Sequence, residues 1–351
     1  MTEPTFPYIT LTITHIQEEV PGVKTFTFDI SEPDKLQYKA GQYITLVQDG
    51  PQGEVRRSYS ITSSPLLNEP LSIGVKRIEN GFFSRQLVDK AQVGDQFHST
   101  GAGGLFTLPE DINYYKQIFF LAAGSGITPI YSLLKTVLHS NPELSVVLFY
   151  SNRSPEHAMF LQALQQLQTD FPDQLHTEFF FSNSPDLSKA RLHKDLLVAL
   201  LQNLSKAQFN QTLFYICGPT NYMRLTSFAL RQQKVPASNI RKEIFNTAKA
   251  LPSRLMPPDT DAHQVTLHID GSSHTIKSKY PFSILQSARK AGIALPYSCE
   301  AGVCGNCIAK VVSGKVWMTN NEVLTEKDME KGFTLTCVGY PVGGDVELQV
   351  R

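Results

Sequence analysis

The chain has 351 residues, with 32 Lys and Arg balancing 32 Asp and Glu, so it is formally neutral at pH 7. Neutrality excludes the basic footprint of a nucleic-acid binder and the cationic face that would draw a protein to an anionic membrane. At 41% hydrophobic residues the chain can fill packed cores, and its length suits two or three domains.

The N-terminal run Met1-Thr2-Glu3-Pro4-Thr5 has neither a basic nor an apolar signal region. No later stretch reaches the ~18 apolar residues of a membrane span. A cytoplasmic protein without membrane insertion is expected. The first hundred or so residues then read as β. Ile9–Ile13, Thr25–Phe28, Tyr43–Val47 and Leu71–Val75 are short, alternating, β-branched runs, punctuated at Pro21-Gly22, Ala40-Gly41 and Asp49-Gly50-Pro51. They predict an antiparallel β-barrel over 1–112, with one helix from about Ser84 to Lys90.

From about Gln117 the pattern alternates between strand and helix. The strand Ile118–Leu121 leads into Gly124-Ser125-Gly126, and a helix follows from Pro129. Then come strand 145–150, helix 159–167, strand 177–181, helix 192–201, strand 213–217 and helix 222–232. This predicts an α/β domain with a parallel sheet over 113–248. Three prolines (Pro252, Pro257 and Pro258) mark a stiff linker over 249–261. A small α+β domain follows over 262–351. It opens with a hairpin around Asp270-Gly271 and a helix from Ser283 to Ala291.

That last domain carries Cys299, Cys304, Cys307 and Cys337. The spacing C-x4-C-x2-C with a distant fourth Cys is that of a plant-type 2Fe-2S cluster. Gly302 and Gly305 fall between ligands, where backbone must approach the sulfides closely. A structural zinc site usually shows paired C-x2-C units, and only one is present. Reduced thiols and metal ligands both fit a cytosolic setting better than disulfides do.

Two further sites fit the electron traffic of such a cluster. Arg57-Ser58-Tyr59-Ser60 lies on a strand. The guanidinium can pair with a pyrophosphate, Tyr59 on the same face can stack on a flat ring, and Ser60 can hydrogen-bond a ring nitrogen. Gly81-Phe82-Phe83-Ser84 precedes a helix, where backbone N–H groups and the Ser84 hydroxyl make a phosphate cradle. Singly, each reads more simply as an ordinary strand edge or turn; together, ahead of a nucleotide-type segment, they point to a flavin. Gly124-Ser125-Gly126-Ile127-Thr128-Pro129 sits at a strand-to-helix turn where a pyrophosphate can approach. Cys217-Gly218-Pro219 ends the last predicted strand of the same sheet. Cys217 is either a group that orients hydride transfer or a small buried hydrophobe. After strand 145–150, Ser151-Asn152-Arg153-Ser154 supplies an Arg and no carboxylate before Glu156, a slight tilt toward NADPH over NADH.

The order R-x-Y-S, G-x-x-S, G-x-G-x-x-P, C-G-P and then the cluster cysteines resembles the ferredoxin–NADP reductase superfamily over essentially the whole chain. Within it, the resemblance is to oxygenase reductases, in the branch containing the phenylacetyl-CoA epoxygenase and ketosteroid hydroxylase reductases. It implies a β-grasp-like ferredoxin domain and FAD rather than FMN. It also implies that Arg57, Ser58, Tyr59 and Ser60 contact the flavin and its pyrophosphate, with Val75 and Lys76 along the phosphate and ribose. Gly81, Phe82, Phe83 and Ser84 would cap the FAD pyrophosphate. Gly124, Gly126, Thr128, Arg153, Cys217, Gly218 and Pro219 would hold the nicotinamide nucleotide. Phe245, in Glu243-Ile244-Phe245, would lie near the flavin. Tyr59, Ser60, Thr128 and Cys217 would stand beside the reacting rings. One departure is Gly101-Ala102-Gly103-Gly104, where many relatives have a proline, which loosens a loop near the adenine end. The implied activity passes electrons from NAD(P)H to FAD, to the 2Fe-2S cluster, and on to a partner oxygenase or hydroxylase. A flavin and iron–sulfur redox sensor, or a reductase running from reduced ferredoxin to NADP, are the alternatives.

Overall fold

The structure is a computed structural model that describes residues 8–50, 53–245, 255–269 and 271–350. The first sheet is built from β1 (Ile9–Val20), β2 (Val23–Ile30), β3 (Tyr43–Gly50), β4 (Gly53–Ser60), β5 (Ser72–Lys76) and, after the helix α1 (Phe82–Lys90), β6 (Gln96–Gly103). Its order is β4-β3-β6-β1-β2-β5, and every pairing is antiparallel. The outer strands curl toward each other, where Ile61 bridges to Ile73. The alternation in the sequence sets the faces. Ile9, Leu11 and Ile13 point inward with Phe26, Ile44, Leu46 and Ile73, while Thr10 and Thr12 lie toward solvent. Phe83 of α1 completes this core.

The parallel sheet comprises β7 (Gln117–Ala123), β8 (Ser145–Asn152), β9 (Leu175–Phe181), β10 (Thr212–Cys217) and β11 (Ile240–Glu243). Interleaved with them are α2 (Ile127–Ser140), α3 (Leu161–Asp170), the short α4 (Leu187–Ala190), α5 (Lys194–Leu204) and α6 (Thr220–Gln232). The order β11-β10-β7-β8-β9 reverses direction between β7 and β10. Every residue of β7 is buried, as a central strand covered on both faces must be. One face packs Ile118, Phe120 and Leu148 against Ile130, Leu133, Leu134 and Val137 of α2. The other packs Phe119, Phe149 and Phe214 against Leu197, Leu201 and Leu230.

The barrel is fastened to α2. Ser132 Oγ donates to Ser63 O at 2.6 Å, the Ser64 and Thr136 hydroxyls pair at 2.7 Å, and the buried Lys135 ion-pairs with Glu69. Gly74 of β5 faces Thr128 so closely that a Cβ there would lie 2.4 Å from Thr128 Cγ2.

Residues Tyr8–Phe245 form one compact unit, and the chain from Asn246 onward belongs to another. The latter holds β12 (His263–Ile269), β13 (Ser272–Ser278), α7 (Ile284–Lys290), β14 (Ile308–Ser313), β15 (Val316–Met318), α8 (Glu326–Glu330), β16 (Phe333–Leu335), β17 (Gly339–Pro341) and β18 (Val346–Val350). Its mixed sheet has the order β13-β12-β18-β14-β16, with β12 and β18 parallel, and β15 pairs with β17 beside it. A reciprocal cap between Ser283 and Gln286 starts α7, whose Ile284, Leu285 and Ala288 are fully buried. Among the described residues no helix is long and apolar enough to cross a membrane.

Several elements differ from the sequence expectation. Strands β6 and β11 and everything after the cysteine loop are additional. The helix expected from Met159 starts at Leu161, because Phe160 takes φ +58 and stacks on Tyr131 at 4.4 Å. Most of the expected linker, 249–254, and Asp270 of the expected hairpin turn lie outside the described residues.

Candidate flavin, nicotinamide and iron–sulfur sites

Pairing with β3 places Arg57 opposite Leu46, Tyr59 opposite Ile44 and Ser60 opposite Tyr43. Arg57 is exposed, and its Nη1 donates to Arg56 O at 2.7 Å. The Tyr59 ring stands 6.1 Å from Phe83, and burial pushes its hydroxyl pKa well up, with Arg57 opposing. Ser58 pairs with Thr45 at 2.9 Å. Ser60 is buried, and its Oγ donates to Glu243 Oε1 at 3.3 Å, from the barrel to the end of β11. Glu243 is in register with Cys217 across the β10–β11 pair. Three polar side chains from three strands therefore meet here. The Glu243 carboxyl is raised from 4.5 to about 8 by burial, with the Ser60 hydrogen bond pulling it down. Its Oε2 is buried with no hydrogen-bond partner among the described residues. Cys217 is fully buried, and burial first, then Glu243, raises its thiol. Such a group holds a proton at neutral pH and can orient a ligand, but it is no thiolate nucleophile.

At the start of α1, Gly81 is the N-cap and no side chain caps the first turn. The Ser84 hydroxyl accepts from Ile78 N at 3.1 Å and so braces the turn from inside. Phe82 is 48% exposed. Phe83 and Val75 both point into the barrel core, so a ligand here would meet only their backbone, while Lys76 points to solvent.

The crevice at the sheet's direction change is flanked by Gly124–Gly126 after β7 and by Gly218-Pro219 after β10. Gly124 takes φ +54 with open space where a side chain would begin. A Cβ at Gly126 would lie 2.1 Å from Cys217 O. The turn thus has room beside the N-terminus of α2 for the close backbone approach of a pyrophosphate, with no side-chain cap there. Thr128 Oγ1 donates to Ser125 O at 2.9 Å and closes the turn. On the far side, Ser151 Oγ, Asn152 Nδ2 and Tyr222 OH are buried with no hydrogen-bond partner among the described residues. The Tyr222 and Ser151 hydroxyls face each other, as do the Asn152 amide and the Tyr150 hydroxyl, in both cases without a bond of normal geometry. Buried orphans at a sheet's C-terminal edge mark a place for a polar ligand. Arg153 is exposed, and its carbonyl accepts from Asn183 N at 3.0 Å. Phe245, just past β11, is 45% exposed.

Two concave regions lie apart from this crevice. One of about 750 Å³ runs between the barrel and α2–α3 beside Glu19, Glu69 and Tyr131. Another of about 310 Å³ lies at the opposite edge of the parallel sheet.

In the second unit the four cysteines converge. Cys299 contacts Cys304 and Cys337, and Cys337 contacts Cys307. Cys299 is held well below the ordinary thiol range by the neighbouring thiols, while Cys304 and Cys337 are pushed up. Among the described residues no group of three or more His, Cys, Asp or Glu is arranged to hold a single metal ion, so the cysteines gather without the geometry of a mononuclear site. The loop is preset for sulfur: Ala301 N donates to Cys299 Sγ and Asn306 N to Cys304 Sγ, both at 3.4 Å. Gly302 takes φ +73 and would clash with Asn320 O, 2.7 Å from an added Cβ. Thr336 donates its N–H and hydroxyl to Cys307 O, which ties the fourth ligand to the third. These residues fit a 2Fe-2S cluster by the chemistry of the donor set.

Sequence reasoning brought together Ser60, Cys217 and the cysteines. It placed Glu243 only within the run Glu243-Ile244-Phe245 expected near the flavin, gave its carboxyl no task of its own, and passed over Ser151, Asn152 and Tyr222 as ligand groups. An acidic residue closing a short parallel edge strand was the available signal for Glu243.

Three family models cover the chain in succession: an oxidoreductase FAD-binding domain over 10–108, an oxidoreductase NAD-binding domain over 120–227, and a 2Fe-2S iron–sulfur cluster binding domain over 267–342. The chain is 33% identical over 342 residues to one of the subunits of the 1,2-phenylacetyl-CoA epoxidase of Escherichia coli, covering 96% of each. It is 31% identical over 351 residues to the ferredoxin reductase component of a Mycobacterium tuberculosis 3-ketosteroid-9-alpha-monooxygenase, covering 96% of this chain and 94% of the relative. Among solved structures, phthalate dioxygenase reductase matches with TM-score 0.58 and 23% identity over 98% of each chain, which bears on the fold. The chain belongs to the family of FAD- and NAD(P)-binding reductases with a C-terminal 2Fe-2S ferredoxin domain, reductase components of oxygenase systems that carry electrons from NAD(P)H through FAD and the cluster.

Proposed function

We propose that the flavin ring lies against Tyr59 and Ser60 with its pyrophosphate between Arg57 and the start of α1, and that the nicotinamide enters from the Gly124–Thr128 turn. The observation that carries this reading is the meeting of Ser60, Cys217 and Glu243, where the barrel touches the direction change of the parallel sheet. FAD supplies the exchange between the two-electron chemistry of a nicotinamide and the one-electron chemistry of a cluster. The chain's own residues do the rest. Tyr59 covers one ring face, Thr128 and Cys217 limit how the nicotinamide lies, and Glu243 keeps a proton within reach of Ser60. Ser151, Asn152 and Tyr222 offer hydrogen bonds to the nucleotide beyond Gly218 and Pro219.

NADPH is the favoured donor, because β8 ends on Ser151-Asn152 followed by an exposed Arg153 and no carboxylate. The domains divide at 1–112, 113–248 and 262–351. The electron acceptor is the oxygenase component of a monooxygenase-type system, as the relatives' names suggest, and it docks near Tyr297 and Glu300 beside the cluster loop. Five free cysteines fit a reducing, cytoplasmic setting.

Anaerobic titration with NADPH and with NADH, followed in the visible spectrum, tests the reading. Flavin and cluster bands should bleach together, and faster with NADPH. Faster bleaching with NADH would overturn the nucleotide assignment, and bleaching of the flavin alone would overturn the route to the cluster.

A further inference from the structure

The side-chain amide nitrogen of Asn306 finds no acceptor among the described residues. Asn306 lies between Cys304 and Cys307, and its backbone N–H is already committed to Cys304 Sγ at 3.4 Å. Its side-chain Nδ2 is buried with no hydrogen-bond partner among the described residues. Two other side-chain donors tied to the loop are engaged: Asn320 Nδ2 donates to Ala301 O at 2.9 Å, and Thr336 Oγ1 to Cys307 O at 3.2 Å. Leaving an amide donor buried without an acceptor costs about 1–3 kcal/mol, so native folds rarely keep one. An Asn in a tight loop between two thiolate ligands is placed to meet the acceptors that only a filled site provides, the cluster's sulfurs.

We propose that the Asn306 side-chain N–H donates a hydrogen bond to a sulfur of the 2Fe-2S cluster and raises the cluster's reduction potential. The inference rests on the cluster reading above. A donor aimed at sulfur stabilises the reduced, more negative cluster more than the oxidised one, because charge-assisted bonds strengthen with acceptor charge. Asn306 thereby eases the delivery of electrons from the flavin.

The test uses the full-length, cofactor-loaded protein and a redox titration followed by electron paramagnetic resonance (EPR). Asn306→Leu keeps the approximate shape and removes the donor. A loss of about tenfold in the reduction equilibrium is expected, about 59 mV downward for a one-electron couple. Asn306→Asp adds negative charge and should fall at least as far. Because a variant can fail to assemble its cluster, the wild type is also prepared with asparagine labelled with ¹⁵N only at the side-chain nitrogen. Pulsed EPR of the reduced cluster should then show coupling to that nitrogen and to an exchangeable proton. Unshifted potentials in Asn306→Leu, or no side-chain nitrogen coupling in the wild type, would overturn the proposal while leaving the cluster in place. No cluster signal in the wild type after anaerobic reduction would overturn the cluster reading, and the proposal with it.

Discussion

Glu243 is a carboxylic acid set where ionisation is unfavourable: burial lifts it from 4.5 to about 8, and Ser60 answers only one of its oxygens. The sign of the pH effect follows. In the unfolded chain the group ionises above about pH 4.5; in the folded chain it keeps its proton until about pH 8. The native state therefore binds more protons across that window, and stability falls as pH rises through it. Below pH 4.5 both states are protonated and the contribution is constant. Melting temperatures measured from pH 5 to 8.5 should decline in the wild type and decline less in Glu243→Gln. The variant should also lose turnover with NAD(P)H and a dye acceptor by more than it loses nucleotide affinity, because an amide in place of the carboxyl cannot hold a transferable proton.

The turn after β7 and the strand β10 approach each other so closely that the identity of one residue sets their spacing. Gly126→Ala puts a methyl 2.1 Å from Cys217 O, and backbone cannot yield as a side-chain tip does. A loss of about 1–3 kcal/mol is expected, with a raised KM for the nucleotide. Gly124→Ala meets no neighbour but must hold φ +54, at a cost of about 1–2 kcal/mol. Urea melts and nucleotide titrations of the two variants separate crowding from backbone strain. The turn itself was legible in the sequence because glycines after a buried run have few other uses. The alternation of β1 and the apolar run Ile118–Ala123 of β7 were legible for the same reason, that burial on one face or two writes its own period. Strand β6 escaped because its second half, Ser99-Thr100-Gly101-Ala102-Gly103, carries no large apolar side chain. Strand β11 has four residues, and β15, β16 and β17 have three each, too short to show a period. Tyr222 was invisible as a ligand group since its position depends on how α6 leaves β10, which no local pattern encodes.

At the scale of the molecule, the residues proposed to hold nucleotide and flavin lie within Tyr8–Phe245, and the cysteines proposed to hold the cluster lie within the other unit. Cys304→Ser should leave NAD(P)H-dependent dye reduction near wild type and lower cytochrome c reduction by roughly tenfold or more, because only the second acceptor needs the cluster. Equal retention of both activities would show that electrons leave directly from the flavin.

The seam between barrel and α2 has a consequence for variation among such proteins. Ser63, Ser64 and Glu69, which fasten to Ser132, Thr136 and Lys135, follow Ser60 by a few residues, and α2 begins one turn from Gly124. In the proposed arrangement, the alignment of two reacting rings, where a misplacement of about 1 Å can cost on the order of a hundredfold in rate, is thus governed by a short loop and two helical turns. Manufacturing tolerance is concentrated there. Hairpins at the far end of the barrel can lengthen, shorten or diverge without the error reaching the chemistry, whereas a single inserted residue between Ile61 and Glu69 would throw it out of true.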